Sequence, residues 1–299
     1  MSASFRLGII GFGEVGSTFA QGLKGVMASV SAWDLLLGDD AAATSMRARA
    51  EEAGVHACAG MAELCERSDF IISAVTASNT LAVAKEAAAH IGQGSWFIDL
   101  NSASPGTKQA AAGHIDSAGA RYVEAGVMTS VPPYGIKVPM LLGGKHAAEM
   151  LPVLQGFGMA VKHASDKLGI ASATKMCRSV MIKGLEALVI ESFTTARHYG
   201  VEEAMIATLQ ETFPQIDWPR QGEYFYSRVA QHGKRRAEEM REVANTVREA
   251  GFEPYMAAAI AQKHDWMAAR ARGGSFASVS KKPRWQEWAD GLLASREQS

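Results

Sequence analysis

Three glycines near the start of the sequence have the spacing of a turn that binds phosphate groups. A short apolar run precedes them, and a helical pattern begins directly after them. In such a strand–turn–helix unit the first glycine permits a tight bend, the second lets a pyrophosphate approach the backbone, and the third lets the helix pack closely on the strand. The motif consists of Gly11, Phe12, Gly13, Glu14, Val15 and Gly16. We predict that it binds a dinucleotide; a glycine turn that holds no ligand is the alternative.

An acidic residue ends the second apolar run. Asp34 lies near the position, about twenty residues beyond the glycines, where a carboxylate accepts hydrogen bonds from a ribose 2′-OH. Residues 35–40 contain no Arg or Lys to hold a 2′-phosphate, so the sequence favours NAD as the cofactor, with NADP as the alternative. Asp34 could instead cap the following turn, and Arg47 or Arg49 could fold back towards a 2′-phosphate.

Three further residues stand at the ends of the fourth and fifth predicted strands. They are Val75, Thr76 and Asn101. Ligands of open α/β sheets bind at the carboxyl ends of the strands, so we expect all three to contact the cofactor, with Asn101 near its ribose or nicotinamide. Ordinary loop roles are the alternative.

Short apolar runs alternate with helical patterns in the first half of the chain. The predicted strands cover residues 5–10, 29–33, 55–57, 69–75, 95–100, 120–127, 138–144 and a last run near 161–164. This alternation indicates a doubly wound, mostly parallel sheet, and the patterns beyond it are helical, including a long one over 169–199. We therefore predict a Rossmann-type α/β domain over residues 1–164 and an all-α domain over residues 165–299.

Composition and charge narrow the classes of partner. The chain has 299 residues, with 30 Lys and Arg against 31 Asp and Glu, for a formal net charge of −1. This balance argues against binding to nucleic acid or to an anionic membrane, and no apolar stretch approaches the roughly 18 residues of a membrane span. The first residues lack the pattern of a secretion signal, so we expect a cytoplasmic protein.

Neither a disulfide framework nor a metal site is evident from residue spacing. The three cysteines (Cys58, Cys65 and Cys177) are few and scattered. Metal-ligand spacing is absent among His56, His90, His114, His163, His198 and His264. The sequence therefore predicts no metal ion.

Three later segments of the sequence form a set: DLNSASP (99–105), EAGVMTS (124–130) and GIASATK (169–175). Together they resemble the β-hydroxyacid dehydrogenases of the 6-phosphogluconate dehydrogenase-like superfamily. Residues 99–105 (DLNSASP) resemble the family's D-x-S-T-x-x-P segment, and residues 124–130 (EAGVMTS) occupy the place of its D-A-P-V-S-G-G substrate loop. Residues 169–175 (GIASATK) resemble the G-x-G-x-x-x-K that includes the catalytic lysine. The helical half, notably 175–186 and 232–240, is similar to a branch of the superfamily whose C-terminal domain is poorly characterised.

The resemblance implies a set of site residues. Lys175 would be the general acid and base, suited to that role if burial and cationic neighbours such as Arg178 lower its pKa. Lys175, Ser179 and Lys183 have the i, i+4, i+8 spacing of one helix face. The implied substrate-binding residues are Ser102, Met128, Thr129, Ser130, Arg178, Ser179 and Lys183.

The pocket departs from the family pattern. Met128-Thr129-Ser130 replace Ser-Gly-Gly, Ser179 stands where Asn is expected, and Glu238-Glu239 align with a Lys-Asp pair. These changes argue against a simple 3-hydroxyisobutyrate or tartronate semialdehyde substrate. Residues 215–240, rich in aromatic and basic side chains, could line a larger pocket or pack in the core.

The leading hypothesis is an NAD-dependent dehydrogenase that acts on the CH–OH group of a hydroxy acid or a related polar hydroxy compound. An imine or opine-type reductase is one alternative. Lys175 argues against it, because in those reductases the corresponding position is typically occupied by another residue. A dinucleotide-binding sensor without turnover is the other. The resemblance also implies a homodimer formed through the helical domain.

Overall fold

Eight strands of the first half form a single sheet. In the computed structural model, which describes residues 5–295, the chain divides into two units, residues 1–176 and residues 177–299. The strands are β1 (Arg6–Ile10), β2 (Ser29–Trp33), β3 (His56–Ala57), β4 (Phe70–Ser73), β5 (Trp96–Asp99), β6 (Arg121–Val127), β7 (Met140–Gly143) and β8 (Val161–Ser165). Their order is β3-β2-β1-β4-β5-β6-β7-β8, and the β6–β7 pair alone runs antiparallel. The predicted doubly wound, mostly parallel sheet is confirmed.

The sheet has an apolar layer on each face, as the continuous apolar strands predict. Leu7 and Ile9 of β1 pack into one buried cluster, whereas Ile10 belongs to the cluster on the other side. The helices of this unit are α1 (Glu14–Leu23), α2 (Asp40–Ala53), α3 (Met61–Glu66), α4 (Thr80–Ala88), α5 (Pro105–Ser117) and α6 (Ala147–Gly156).

Helix α7 (Ile170–Tyr199) continues from the first unit into the second. The other helices of the second unit are α8 (Glu202–Thr212), α9 (Trp218–Glu249), α10 (Tyr255–Arg272) and α11 (Trp285–Ala294). The predicted all-α character is confirmed for the part of this region that the structure describes, apart from Ser165, the last residue of β8. The compact units divide inside α7, after residue 176. No helix between residues 5 and 295 is long and apolar enough to cross a membrane.

Helix α9 is 32 residues long and includes most of the aromatic and basic segment 215–240. Its first turn has a proline, and the Asp217 side chain accepts a hydrogen bond from the Arg220 N–H, which are both ordinary start signals. Gly222 packs closely against Phe193 and Trp285 inside this helix. Three aromatic residues of the 215–240 segment are buried in the core of the second unit, namely Trp218, Phe225 and Tyr226.

Candidate active site

The parallel strands bring their carboxyl ends to one edge of the sheet. In register, Ile10 lies beside Trp33 on one side and Ser73 on the other, Ser73 lies beside Asp99, and Asp99 lies beside Glu124. The segments that follow β1, β2, β4 and β5 therefore begin at the same level, whereas β6 continues for three more residues, to Val127. Strand order reverses between β1 and β4, which is where open α/β sheets form a ligand crevice.

The glycine turn has the geometry that a pyrophosphate needs. Gly11 has φ +89°, and a Cβ there would lie 2.6 Å from the Ala74 carbonyl oxygen. A Cβ on Gly16 would overlap the Gly11 carbonyl, whereas one on Gly13 would meet open space. Among the described residues, no side chain caps the N-terminus of α1, so its first N–H groups are available to an anion. The turn therefore fits the phosphates of a dinucleotide.

Asp34 holds this turn in place. Its Oδ2 accepts a hydrogen bond from the Phe12 N–H at 2.7 Å, and its Oδ1 accepts one from the Leu36 N–H at 3.0 Å. From the other side, the Arg49 guanidinium donates to the Phe12 carbonyl at 3.2 Å. The cap that the sequence offered as an alternative is thus present. A carboxylate has about four acceptor sites, so the same group still has capacity for a ribose hydroxyl.

Asn101 joins the ends of β4 and β5. Its Oδ1 accepts the Val75 N–H at 2.7 Å, and its Nδ2 donates to the Ser73 Oγ at 2.9 Å. The amide is therefore used to shape the crevice wall. Thr76, one residue further on, is exposed, and its Oγ1 accepts a hydrogen bond from the Asn79 side chain at 3.1 Å.

A buried ion pair beneath Asn101 was not predicted from the sequence. The ammonium of Lys108, which is 1% exposed, lies 2.8 Å from Asp99 Oδ1 and donates to the Asp99 carbonyl at 3.0 Å. The Tyr122 hydroxyl donates to Asp99 Oδ2 at 2.6 Å, and the Asn101 N–H donates to Oδ1 at 2.9 Å. Burial, then the charge of Asp99, raises the pKa of Tyr122 well above its usual value, so the phenol stays a donor. The network fixes the backbone from which Asn101 and Ser102 project.

Lys175 and Ser102 meet in the first unit. The Lys175 Nζ donates a hydrogen bond to the Ser102 Oγ at 2.6 Å, and both residues are half-buried. The two residues are 73 positions apart in the sequence, so the fold brings the predicted catalytic lysine to the segment after β5.

Glu124 anchors the helix on which Lys175 stands. This fully buried carboxylate accepts the N–H groups of Gly169 at 2.7 Å and Ala171 at 3.1 Å through Oε1, and that of Ser172 at 3.4 Å through Oε2. A negative charge at a helix N-terminus also interacts favourably with the helix dipole. Glu124 therefore fixes the position of the first turn of α7.

The loop after β6 begins at the same edge of the sheet. Its first residue is tied to the neighbouring strand segment, because the Met128 N–H donates to the Pro139 carbonyl at 2.9 Å. Met128 and Ser130 are half-buried, and Thr129 is exposed. Their contact with substrate stays a prediction.

The remaining predicted substrate-binding residues belong to the second unit. Arg178 is exposed, whereas Ser179 and Lys183 are buried. The Lys183 Nζ donates to the Ser179 Oγ at 3.4 Å and pairs with Glu239 Oε2 at 2.9 Å. Glu239, aligned with the acidic member of the family's Lys-Asp pair, thus neutralises a buried lysine.

A second ion pair in this unit lies beside a buried histidine. Arg236 pairs with Glu186, and His264 Nε2 lies 3.7 Å from Glu186 Oε2. Burial, followed by the charges of Arg236 and Lys183, lowers the pKa of His264 to about 3. The folded state therefore keeps this ring neutral at pH values where an unfolded chain protonates it.

The His264 ring should make the folded protein less stable in mild acid. Between pH 6.5 and 3 the unfolded state binds one more proton at this residue, so the free energy of unfolding falls as pH falls. From pH 7 to 5 the expected loss from this residue is about 2 kcal/mol. Urea unfolding at both pH values should show that His264→Gln reduces the pH dependence by about this amount, whereas the exposed His198→Gln does not. An unchanged pH dependence in His264→Gln would contradict the assignment.

Comparison with known proteins gives two family matches. Residues 6–164 match the NAD binding domain of 6-phosphogluconate dehydrogenase, and residues 196–267 match a domain of unknown function, DUF1932. The first match includes the glycine turn, Asp34 and the ends of β4 and β5.

Three similar proteins cover most of the chain. A conserved hypothetical protein from Sinorhizobium meliloti 1021 is 39% identical, with a TM-score of 0.76 over 97% of this chain and 96% of that one. The conserved protein MTH1747, described as of unknown function and structurally similar to 3-hydroxyacid dehydrogenases, is 30% identical, with a TM-score of 0.68 over 89% of this chain and 98% of that one. An uncharacterised 28.5 kDa protein of Methanothermus fervidus is 30% identical over 84% of this chain and 94% of its own length.

Two more distant structures share the fold alone. The 3-hydroxyisobutyrate dehydrogenase of Mycobacterium tuberculosis is 15% identical, with a TM-score of 0.70 over 96% of this chain and 98% of that one. An imine reductase variant from Myxococcus stipitatus is 19% identical, with a TM-score of 0.54 over 97% of this chain and 99% of that one.

Proposed function

Because the chain belongs to the family defined by the NAD-binding domain of 6-phosphogluconate dehydrogenase, we propose that it is an NAD-dependent dehydrogenase acting on a CH–OH group. The substrate is a hydroxy acid or a related polar hydroxy compound, and Lys175 is the general acid and base. The observation that supports this proposal most strongly is the 2.6 Å contact between the Lys175 ammonium and the Ser102 hydroxyl, at the edge where open α/β sheets bind ligands.

The chemistry needs one hydride acceptor and one proton acceptor. The nicotinamide supplies the hydride chemistry when it is bound. In the oxidation direction, Lys175 as a neutral amine takes the proton from the substrate hydroxyl; in the reduction direction, its ammonium returns a proton to the carbonyl oxygen. The Ser102 hydroxyl orients the lysine and offers its own proton to a substrate oxygen. Glu124 and the Asp99–Lys108 pair hold the two reacting segments in fixed positions.

The preference for NAD over NADP rests on Asp34. Its carboxylate lies against the glycine turn through Phe12, accepts a ribose hydroxyl well and repels a 2′-phosphate. Arg49, a cation at this turn, donates one hydrogen bond to the Phe12 carbonyl. The preference for NAD is therefore argued from the Asp34 contact.

Equilibrium binding of NADH and NADPH, measured by fluorescence titration, tests the cofactor proposal. We expect NADH to bind at least about tenfold more tightly than NADPH. The hydrogen bond from the ribose 2′-OH to Asp34 and the repulsion between Asp34 and a 2′-phosphate are each worth more than about 1.4 kcal/mol. Asp34→Asn should remove most of this preference while retaining an oxygen for the Phe12 N–H. The matched control is Asp39→Asn, since Asp39 caps α2 by accepting the Ala41 N–H. Preference for NADPH would contradict the role of Asp34, and no binding of either dinucleotide would contradict the dehydrogenase proposal.

A further inference from the structure

Three potential metal-ligating side chains of the first unit meet at the edge of the sheet opposite to β8. His56 is in β3, Cys58 follows that strand, and Glu63 is in α3. One ligand atom from each residue lies within 4.8 Å of the others, and among residues 5–295 this is the one such group of three. The His56 Nε2 is 2.7 Å from the Glu63 Oε1. The group is unrelated to the residues of the proposed reaction, since β2, β1 and β4 separate β3 from β5.

Two hydrogen bonds from backbone N–H groups fix the position of this segment. The Cys58 N–H donates to the Ala32 carbonyl at 2.8 Å, which continues the pairing of β3 with β2. The Ala59 N–H donates to the Glu63 Oε2 at 2.7 Å, which fixes the carboxylate over the start of α3. The imidazole is exposed, the carboxylate is half-buried and the thiol is buried. A ligand could therefore enter from the solvent side and reach the sulfur last.

We propose that His56, Cys58 and Glu63 form a binding site for a divalent transition-metal ion of the zinc class. Imidazole nitrogen, thiolate sulfur and carboxylate oxygen are the three protein ligand types of zinc, with bonds of about 2.0–2.3 Å. Such bonds set ligand atoms roughly 3–4 Å apart, so the present separations need only small side-chain rotations. Three protein ligands leave one position of a tetrahedral ion for water.

The charges of the site match those of the ion. Binding converts the Cys58 thiol into a thiolate, forms the metal–sulfur bond and releases one proton to solvent. The thiolate and the Glu63 carboxylate then balance the two positive charges, and His56 coordinates as a neutral ring. The ion would link the two-residue edge strand β3 to α3. The proposal departs from the sequence-based prediction of no metal ion, because H-x-C-x-x-x-x-E is not a familiar ligand spacing.

Titration of the full-length protein with Co²⁺ tests the site, because thiolate coordination produces a charge-transfer absorption band. We expect one Co²⁺ per chain with this band, displaced by Zn²⁺. Cys58→Ser should abolish the band, and His56→Gln and Glu63→Gln should each weaken binding at least about tenfold. Cys177→Ser removes the exposed thiol of the second unit and should leave the titration unchanged.

Because His56 is exposed, its replacement should affect metal binding without affecting the folding of the protein. His56→Gln removes a ligand from the surface, so its circular dichroism spectrum should match that of the wild type while its affinity for Co²⁺ falls. Absence of the charge-transfer band in the wild type would overturn the proposal. A band that persists in Cys58→Ser or disappears in Cys177→Ser would also overturn it. The same holds if His56→Gln leaves the affinity for Co²⁺ unchanged.

Discussion

Replacement of Lys175 by methionine is expected to lower kcat/KM for hydroxy-acid oxidation by a factor of about 10²–10⁴, the usual contribution of a general acid or base. Methionine keeps the length and apolar stem of the side chain but cannot exchange a proton. Because the lysine interacts with Ser102 at the segment after β5 rather than with the glycine turn, the Kd for NADH should stay within about twofold of that of the wild type. Steady-state kinetics and a fluorescence titration on the same preparations measure the two quantities.

Lys85→Met is the matched control for this variant. Lys85 is exposed in the last turn of α4, so its replacement should change neither kcat/KM nor the Kd. Ser102→Ala should give a smaller reduction of about tenfold, since it removes the lysine's orienting partner but leaves the amine. A Lys175→Met protein with undiminished kcat/KM would refute the catalytic role of the lysine.

Replacement of Lys108 by methionine is expected to reduce the free energy of unfolding by about 3–5 kcal/mol, because it leaves the Asp99 carboxylate buried without its cation. Both side chains are at most 1% exposed. Tyr122 and the Asn101 N–H still donate to Asp99, but they do not neutralise its charge. Urea unfolding measures the loss, and the exposed Lys85→Met should show less than about 0.5 kcal/mol.

A double variant separates the charge effect from the loss of packing. Asp99→Asn removes the charge that Lys108→Met leaves unpaired. The double variant should therefore lose less free energy of unfolding than the sum of the two single losses, by more than about 1 kcal/mol. Additive effects, or a Lys108→Met protein as stable as the wild type, would mean that the pair is not the anchor beneath Asn101.

The sheet could be predicted from the sequence because both of its faces are buried. Each strand is then a short apolar run between polar segments, and the predicted and observed strands differ by a few residues at their ends. The glycine motif predicted that a helix begins at the turn, and α1 is observed there over Glu14–Leu23. Gly106 and Gly113 weaken the helical pattern of α5 in the sequence. Gly222 does the same in α9, where close packing against Phe193 leaves no room for a larger side chain.

The supporting residues of the candidate site could not be predicted because their partners are distant in sequence. A lysine in a helix is usually solvated, so nothing in the residues around Lys108 indicates a buried ion pair. Glu124 was recognised as part of the substrate loop by resemblance, but its bond to the Gly169 N–H spans 45 positions. Local periodicity contains no information on such contacts, whereas the three glycines of the turn can be recognised within six consecutive residues.

The reaction itself is tested most directly by incubating the protein with NAD and a panel of 2-hydroxy and 3-hydroxy acids, in parallel with NADH and cyclic imines, and following NADH by absorbance. We expect NADH to form with at least one hydroxy acid, at a rate that Lys175→Met reduces, and no consumption of NADH by the imines. Consumption with the imines alone would identify a reductase instead. A protein that binds NADH tightly but turns over neither panel would contradict the dehydrogenase account and favour a dinucleotide sensor.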